Sequence, residues 1–302
     1  MKVAVTGASG FLGRYALRAL VAQGHEVLAV GRSVVAGASD LTYVKTDLVT
    51  DNCSGWLKAF KPTHLLHLAW YAEHGKFWSS PANVAWCDTT VRLASSFCEN
   101  GGKRIVIAGS CAEYDWNFGY CKESSTPTNP ATLYGVAKDS ARRLTEKVCA
   151  AAGVSFAWGR VFIPFGAGED RRRIVPSVID ALLGRRALFE ISTGDWRDFM
   201  PVENVADALV CLLEGEASGA FNVCSGVPVQ LAQVIRCIGS ELGRDPEPLL
   251  AKSIERLDAP KFLVGDNKAL LDAGWVSKLD VWVALQRYAT ILAETPDVTK
   301  TS

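Results

Sequence analysis

Three side chains in the sequence have the types and spacing of a proton-transfer site. Tyr134 and Lys138, in Tyr134-Gly-Val-Ala-Lys138, stand at i and i+4 and so share one face of a helix. A phenol titrates near pH 10, and a neighbouring ammonium is what makes it a usable acid or base near neutrality. Ser110 follows an apolar run ending at Ala108. At the carboxyl edge of a parallel sheet its hydroxyl is placed to hold a substrate carbonyl while Tyr134 gives or takes the proton. A second group of residues is suited to an anion. In Thr6-Gly7-Ala8-Ser9-Gly10-Phe11-Leu12-Gly13, Gly7 makes a tight turn, Gly10 lets backbone approach a pyrophosphate and Gly13 lets the following helix pack closely. The N–H groups and positive dipole end of that helix receive the phosphates, so the cofactor contacts fall on Gly7, Ser9, Gly10, Phe11, Leu12 and Gly13.

The cofactor's identity is written at the end of the next strand, Leu28-Ala29-Val30-Gly31-Arg32-Ser33. An acid here would hold the ribose 2′-hydroxyl of NAD, whereas Arg32 suits the 2′-phosphate of NADP. NADP(H) is therefore preferred, with NAD(H) as the other option. Asp47 and Leu48 follow the third strand, where the adenine ring would lie.

Positioning these groups requires alternating strands and helices. Apolar runs at Val3–Thr6, Glu26–Val30, His64–Ala69, Arg104–Ala108 and Val154–Val161 often lack period-two alternation, as strands buried on both faces do. Helical patterns occupy Phe11–Ala22, Asn83–Asn100 and Leu133–Ala152, the last with apolar residues at steps of three and four. This is the order of an α/β fold, a doubly wound parallel sheet of Rossmann type with a smaller C-terminal substrate domain. The expected division is a dinucleotide-binding domain over 1–165, rejoined by 198–224, and a substrate domain over 166–197 and 225–302. Helices in this second half are expected at Asn204–Glu214 and Leu231–Leu242.

Composition excludes other classes. The 302 residues are 49% apolar and 21% charged, which excludes disorder, collagen and coiled coil for the chain as a whole. Lys plus Arg and Asp plus Glu are 32 each, so no global field recruits nucleic acid or an anionic membrane. The nine cysteines form no CxxC pair and have no histidines at zinc spacing, so no metal site is read and the thiols are expected to be reduced. The first strand begins at the N-terminus without a leader pattern, and no apolar run reaches the roughly 18 residues of a membrane helix, so a cytoplasmic protein is expected.

Together, Thr6 to Gly13, His67-Leu68-Ala69, Ser110, Tyr134 with Lys138, and Arg197-Asp198-Phe199 before Val202-Glu203-Asn204-Val205-Ala206-Asp207-Ala208 carry a resemblance. The sequence resembles the extended short-chain dehydrogenase/reductases of the NAD-dependent epimerase/dehydratase family, which act mostly on nucleotide sugars. The resemblance implies that Ser110, Tyr134 and Lys138 are catalytic, that Leu68 and Ala69 border the cofactor, and that Arg197 binds the substrate diphosphate. It also implies a homodimer packed through the helices of Asn83–Asn100 and Leu133–Ala152. Departures from the family pattern narrow the chemistry. The 4,6-dehydratases carry Asp-Glu immediately after the catalytic hydroxyl residue, where this chain has Cys111-Ala112 and places Glu113 one position later. The members that make GDP-fucose use a cysteine two after the serine and a later histidine; here Ala112 stands there and no histidine follows His74. Where many members read Arg-x-Phe-Asn-x-Tyr-Gly-Pro, this chain has Ile163 in place of asparagine, within Arg160-Val-Phe-Ile163-Pro-Phe-Gly166.

The loop after the fourth strand, Trp70-Tyr-Ala-Glu73-His74-Gly-Lys-Phe77-Trp78, leaves the ligand edge of the sheet. Trp70, Tyr71 and His74 are candidate substrate contacts, since rings with polar tips suit a sugar or base face; packing of the loop onto the sheet is the alternative. Arg171-Arg172-Arg173 and Arg185-Arg186 read as solvated faces rather than anion ligands. The resulting expectation is an NADP(H)-preferring reductase of a 4-keto-6-deoxy nucleotide sugar with Tyr134 as general acid. An NAD-dependent 4-epimerase is the first alternative, and a non-catalytic dinucleotide-binding interaction protein the second.

Overall fold

The computed structural model describes residues 1–33, 41–256 and 259–295. Its strands are β1 (Lys2–Thr6), β2 (Glu26–Gly31), β3 (Thr42–Lys45), β4 (His64–His67), β5 (Arg104–Ser110), β6 (Tyr120–Cys121), β7 (Ser155–Val161), β8 (Ile163–Phe165), β9 (Trp196–Arg197), β10 (Phe199–Pro201), β11 (Gly219–Val223), β12 (Val229–Gln230) and β13 (Phe262–Gly265). The helices are α1 (Phe11–Ala22), α2 (Ser54–Phe60), α3 (Ala82–Glu99), α4 (Leu133–Ala152), α5 (Ile174–Leu182), α6 (Val202–Glu214), α7 (Leu231–Leu242), α8 (Glu247–Leu250), α9 (Lys268–Asp272) and α10 (Val281–Glu294).

A parallel sheet in the order β11-β7-β5-β4-β1-β2-β3 forms the centre. Its strands are nearly continuous apolar runs because both faces are covered. On one face Val3, Val5, Val106 and Ala157 pack with α1 and α6; on the other Ala4, Leu65, Ile105 and Trp158 pack with α2, α3 and α4. Strand order reverses between β1 and β4, and the crevice at such a reversal is where ligands of open α/β sheets bind. The chain leaves this sheet after β7 and returns to it at β11, which pairs in parallel with β7.

A separate core gathers α5, α7 and α10 around Phe165, Ile179, Phe199, Ile235 and Leu285. Arg185 binds the carbonyls of Leu292 and Ala293 at the end of α10 (2.6 and 2.7 Å). Leu270 and Trp275 turn instead to the core beneath the large sheet, so the segment from 225 onward serves both cores. β9 sits between β12 and β13, β13 also pairs with β6, and β8 pairs with β10. These short pairings place the last third of the chain against the carboxyl edge of the large sheet.

Local chemistry accounts for the helix ends. Thr132 caps α4 by accepting from the Gly135 N–H (3.1 Å), and Gly153 closes it with a left-handed φ of 67°. β4 ends at His67, two residues short of the apolar run, and the His67 ring is tied on both sides. Its Nδ1 meets Thr6 Oγ1 at 2.6 Å and its Nε2 meets Thr90 Oγ1 at 3.0 Å. Complete burial lowers its pKa to about 3, so it is a neutral core histidine.

Candidate active site

The turn after β1 has the shape that the glycine spacing requires. Gly7 adopts φ +69°, and a side chain there would meet the Ala69 N–H at 2.7 Å. A Cβ on Gly13 would run into the Gly7 carbonyl oxygen. The glycines thus let three backbone segments converge, with Leu68 N bonded to Thr6 O at 3.2 Å behind them. The N-cap of α1 is Gly10, which offers no side-chain cap, and the first turn carries no acid. Its N–H groups are therefore available to an anion, so the cradle fits a dinucleotide pyrophosphate. Ser9 faces Gly31 across the cradle, where its Oγ is 3.8 Å from the place of a Gly31 Cβ, and Phe11 and Leu12 continue into α1. Arg32 is exposed at the end of β2. Asp47 and Leu48 have structural duties: Asp47 Oδ1 accepts from Val49 N (3.0 Å), and the Leu48 side chain is buried with Trp56 and Leu57.

Ser110 ends β5 as the cap of a single 3₁₀ turn, Cys111–Glu113. Its Oγ accepts from Ala112 N (3.2 Å), and Glu113 Oε1 accepts from Ser110 N (2.8 Å). Glu113 is fully buried and also accepts from Trp158 Nε1 and Arg160 Nε, each at 2.8 Å. Arg160 in turn donates to the Tyr114 hydroxyl, which donates to Asn222 Oδ1. The carboxylate that a dehydratase would place near the substrate is here consumed by a buried ion pair that fixes the turn. The Ser-x-x-Glu spacing of a capping box was the signal in the sequence for this arrangement.

α4 supplies Tyr134 from its first turn and Lys138 from its second. The Ser110 hydroxyl comes near enough to the phenol to favour its ionised form. Burial pushes the phenol pKa above the usual tyrosine value, an effect that the Ser110 hydroxyl opposes. Lys138 Nζ is buried and donates to the Ala108 carbonyl at 2.8 Å; burial lowers its pKa to about 7. The Tyr134 ring lies in an aromatic enclosure, with centroids of Phe77, Trp78 and Trp70 at 4.9, 5.7 and 6.4 Å. Next to the start of α4 opens a cavity of about 630 Å³ whose lining includes Ala112, Trp116, Asn117, Asn129, Thr132 and Phe262 but not Ser110, Tyr134 or Lys138. That volume is within the ordinary range for a small-molecule site.

The substrate candidates separate. Trp70 is at the centre of the constellation. Tyr71 spends its hydroxyl on Glu73 Oε2 (3.0 Å), and His74 sits in the field of Asp170, Arg172 and Arg173, where burial lowers its pKa. Arg171, Arg172 and Arg173 are each paired, to Asp180, Asp170 and Glu169. Arg197 has its guanidinium engaged by buried Asp195 (2.7 Å) and by the Trp196 carbonyl (2.9 Å). Its neighbour Asp198 is fully buried and accepts from Ser225 N and Oγ, Gly226 N and Gly265 N, joining β10 to the ends of β11 and β13. Ile163, where the family pattern has asparagine, packs toward the core of α5, α7 and α10.

A glycine cradle at the strand-order reversal, with serine, tyrosine and lysine at the same sheet edge, defines an extended short-chain dehydrogenase/reductase. The chain belongs to the NAD dependent epimerase/dehydratase family, whose profile matches residues 3–224. It is 27% identical over 253 residues to a dTDP-6-deoxy-L-talose 4-dehydrogenase (NAD(+)) of Aggregatibacter actinomycetemcomitans, covering 78% of this chain and 88% of that one. To a UDP-glucose 4-epimerase of Mycolicibacterium smegmatis it is 29% identical over 270 residues, 82% and 85% of the two chains. Among solved structures it is similar to MoeE5 in complex with UDP-glucuronic acid and NAD, with TM-score 0.84, 25% identity and coverage of 96% and 98%. Among the described residues no helix is long and apolar enough to cross a membrane.

Proposed function

We propose that the protein is an NAD(P)-dependent oxidoreductase that reduces the 4-keto group of a 4-keto-6-deoxy nucleotide sugar, with NADP(H) preferred. The observation that carries this reading is Ser110 at the end of β5 near the Tyr134 phenol, with the buried Lys138 one turn along the same helix. When bound, the dinucleotide supplies the hydride. Ser110 donates a hydrogen bond to the substrate carbonyl oxygen, and Tyr134 passes its phenolic proton to that oxygen as it becomes an alkoxide. The Lys138 ammonium stabilises the phenolate left behind. Glu113 is committed to Arg160, so no carboxylate next to Ser110 is free to take a ring proton, which favours simple carbonyl reduction over dehydration. Arg197 has used two of its five N–H donors and keeps others for a diphosphate.

The relative from A. actinomycetemcomitans, a 4-dehydrogenase of a dTDP-6-deoxysugar, supports this substrate class. The M. smegmatis relative and the NAD-bound neighbour favour a second reading, a 4-epimerase that keeps NAD. Titrating dinucleotide-free protein with NADPH and NADH by fluorescence separates the two. Tighter NADPH binding, lost in Arg32→Ala, together with NADPH oxidation by 4-keto-6-deoxy nucleotide sugars, is the expected result. NAD that cannot be stripped from the protein replaces it with the epimerase, and binding of neither dinucleotide returns the non-catalytic alternative.

The protein is also proposed to act as a homodimer through α3 and α4. These helices pack on one another and leave Val84, Leu133, Val136 and Leu144 exposed.

A further inference from the structure

Trp70 leaves the end of β4 and its indole is held from several sides. Nε1 donates to Oδ1 of Asn83 at 2.9 Å, and the fully buried Asn83 donates through Nδ2 to the carbonyls of Phe77 (2.6 Å) and Ser80 (3.0 Å). One amide on α3 therefore fixes both the indole and the loop that carries Phe77 and Trp78 against Tyr134. Trp86, also on α3, packs beside the indole with ring centroids 6.3 Å apart. Lys138 Nζ lies 3.8 Å from the centroid of the Trp70 ring. An ammonium this close to an indole face, away from water, is attracted by the ring's quadrupole.

The groups around Lys138 leave this ring as its nearest electrostatic support apart from the Ala108 carbonyl. Glu113, from the turn after β5, also favours the charged ammonium, an attraction weakened by its ion pair with Arg160. His67 on β4 is neutral, Tyr134 stands one turn earlier on α4 itself, and Trp158 on β7 is farther, at 5.9 Å. We propose that Trp70 is a positioning residue for Lys138, its indole face holding the ammonium charged and in place beside Tyr134, with Asn83 setting the angle of the ring. The inference rests on the proposed reading only for the service Lys138 gives to Tyr134; the contact itself is measurable without turnover.

Burial depresses the Lys138 pKa and the ring opposes that depression, so loss of the ring lowers it further. The test is an NMR pH titration of the full-length protein labelled with ¹³Cε-lysine, the Lys138 signal being assigned by its loss in Lys138→Arg. In Trp70→Leu the midpoint should fall by about one pH unit, a tenfold loss of proton affinity, while Trp70→Phe restores most of it. An unchanged or raised midpoint in Trp70→Leu overturns the proposal. Fluorinated tryptophans keep the indole's size and weaken its quadrupole, which covers the case in which Trp70→Leu does not fold. The midpoint should then fall with fluorine number in the native sequence and hardly move in Trp70→Phe; a trend that persists in Trp70→Phe, or its absence in the native sequence, also overturns it. Where reduction of a 4-keto sugar is measured, the alkaline limb of kcat/KM should move with the NMR midpoint. A shifted midpoint without turnover on any such sugar upholds the Trp70–Lys138 contact and removes the assigned reaction.

Discussion

Lys138 is a buried amine whose cost to the fold depends on pH. Its pKa falls from 10.5 to about 7 on burial, so between those values the unfolded chain takes a proton that the folded protein does not. Stability is therefore lost as pH falls through this window, and the loss is complete below about pH 7. Lys138→Met should abolish the slope and, at pH 7, stabilise the fold by up to about 4 kcal/mol, which urea unfolding at pH 7 and at pH 10 will measure. The same variant should lose turnover. Tyr134→Phe keeps the aromatic enclosure and removes only the exchangeable proton; it should lower kcat by about 10² to 10⁴ with dinucleotide affinity unchanged in a fluorescence titration. Retained turnover in Tyr134→Phe would remove the general-acid assignment.

At the scale of elements, the turn after β5 depends on an ion pair hidden from solvent. Glu113 and Arg160 are 0% and 3% exposed in their side chains, so removing one partner leaves a buried charge without its counterion. Arg160→Met should destabilise the protein by about 3–5 kcal/mol, and adding Glu113→Leu should recover much of that loss in chemical denaturation. The phosphate cradle is equally intolerant for a steric reason: Gly13→Ala places a methyl group on the Gly7 carbonyl, so α1 must retreat. Loss of dinucleotide binding is expected, read by the same titration. α1, α4 and α7 coincide with the spans expected from apolar periodicity, since each has one buried stripe. α2, α5 and α10 escaped that reading. α5 is only nine residues long and carries Pro176 near its start, so its sequence reads as a break and not as a helix.

For the whole molecule, three-dimensional closure is made by segments far apart in sequence. β9, β12, β13 and β6 are two to four residues long and make sense only when paired with segments distant in the chain, as Val264 of β13 is with Tyr120 of β6. Such strands carry no periodic signal of their own. The exposed apolar residues of α3 and α4 define the prediction at this scale. Light scattering of the purified protein should give a dimer mass, and Val136→Glu with Leu144→Glu should give a folded monomer, since both side chains are exposed in the single chain. A monomeric native protein would sink this arrangement.

The sequence by itself determined the doubly wound parallel sheet, the glycine cradle and the Ser110, Tyr134 and Lys138 constellation. Each is encoded locally, by strand burial, by residues that a tight turn tolerates, or by helix spacing. Tertiary structure decided what those groups meet. Glu113 became the buried counterion of Arg160, Asp195 engaged Arg197, and Trp70 came to lie against Lys138 rather than only on the crevice wall. These outcomes depend on distance and burial between segments distant in the chain, and electrostatic energies change steeply with both; local spacing contains neither quantity.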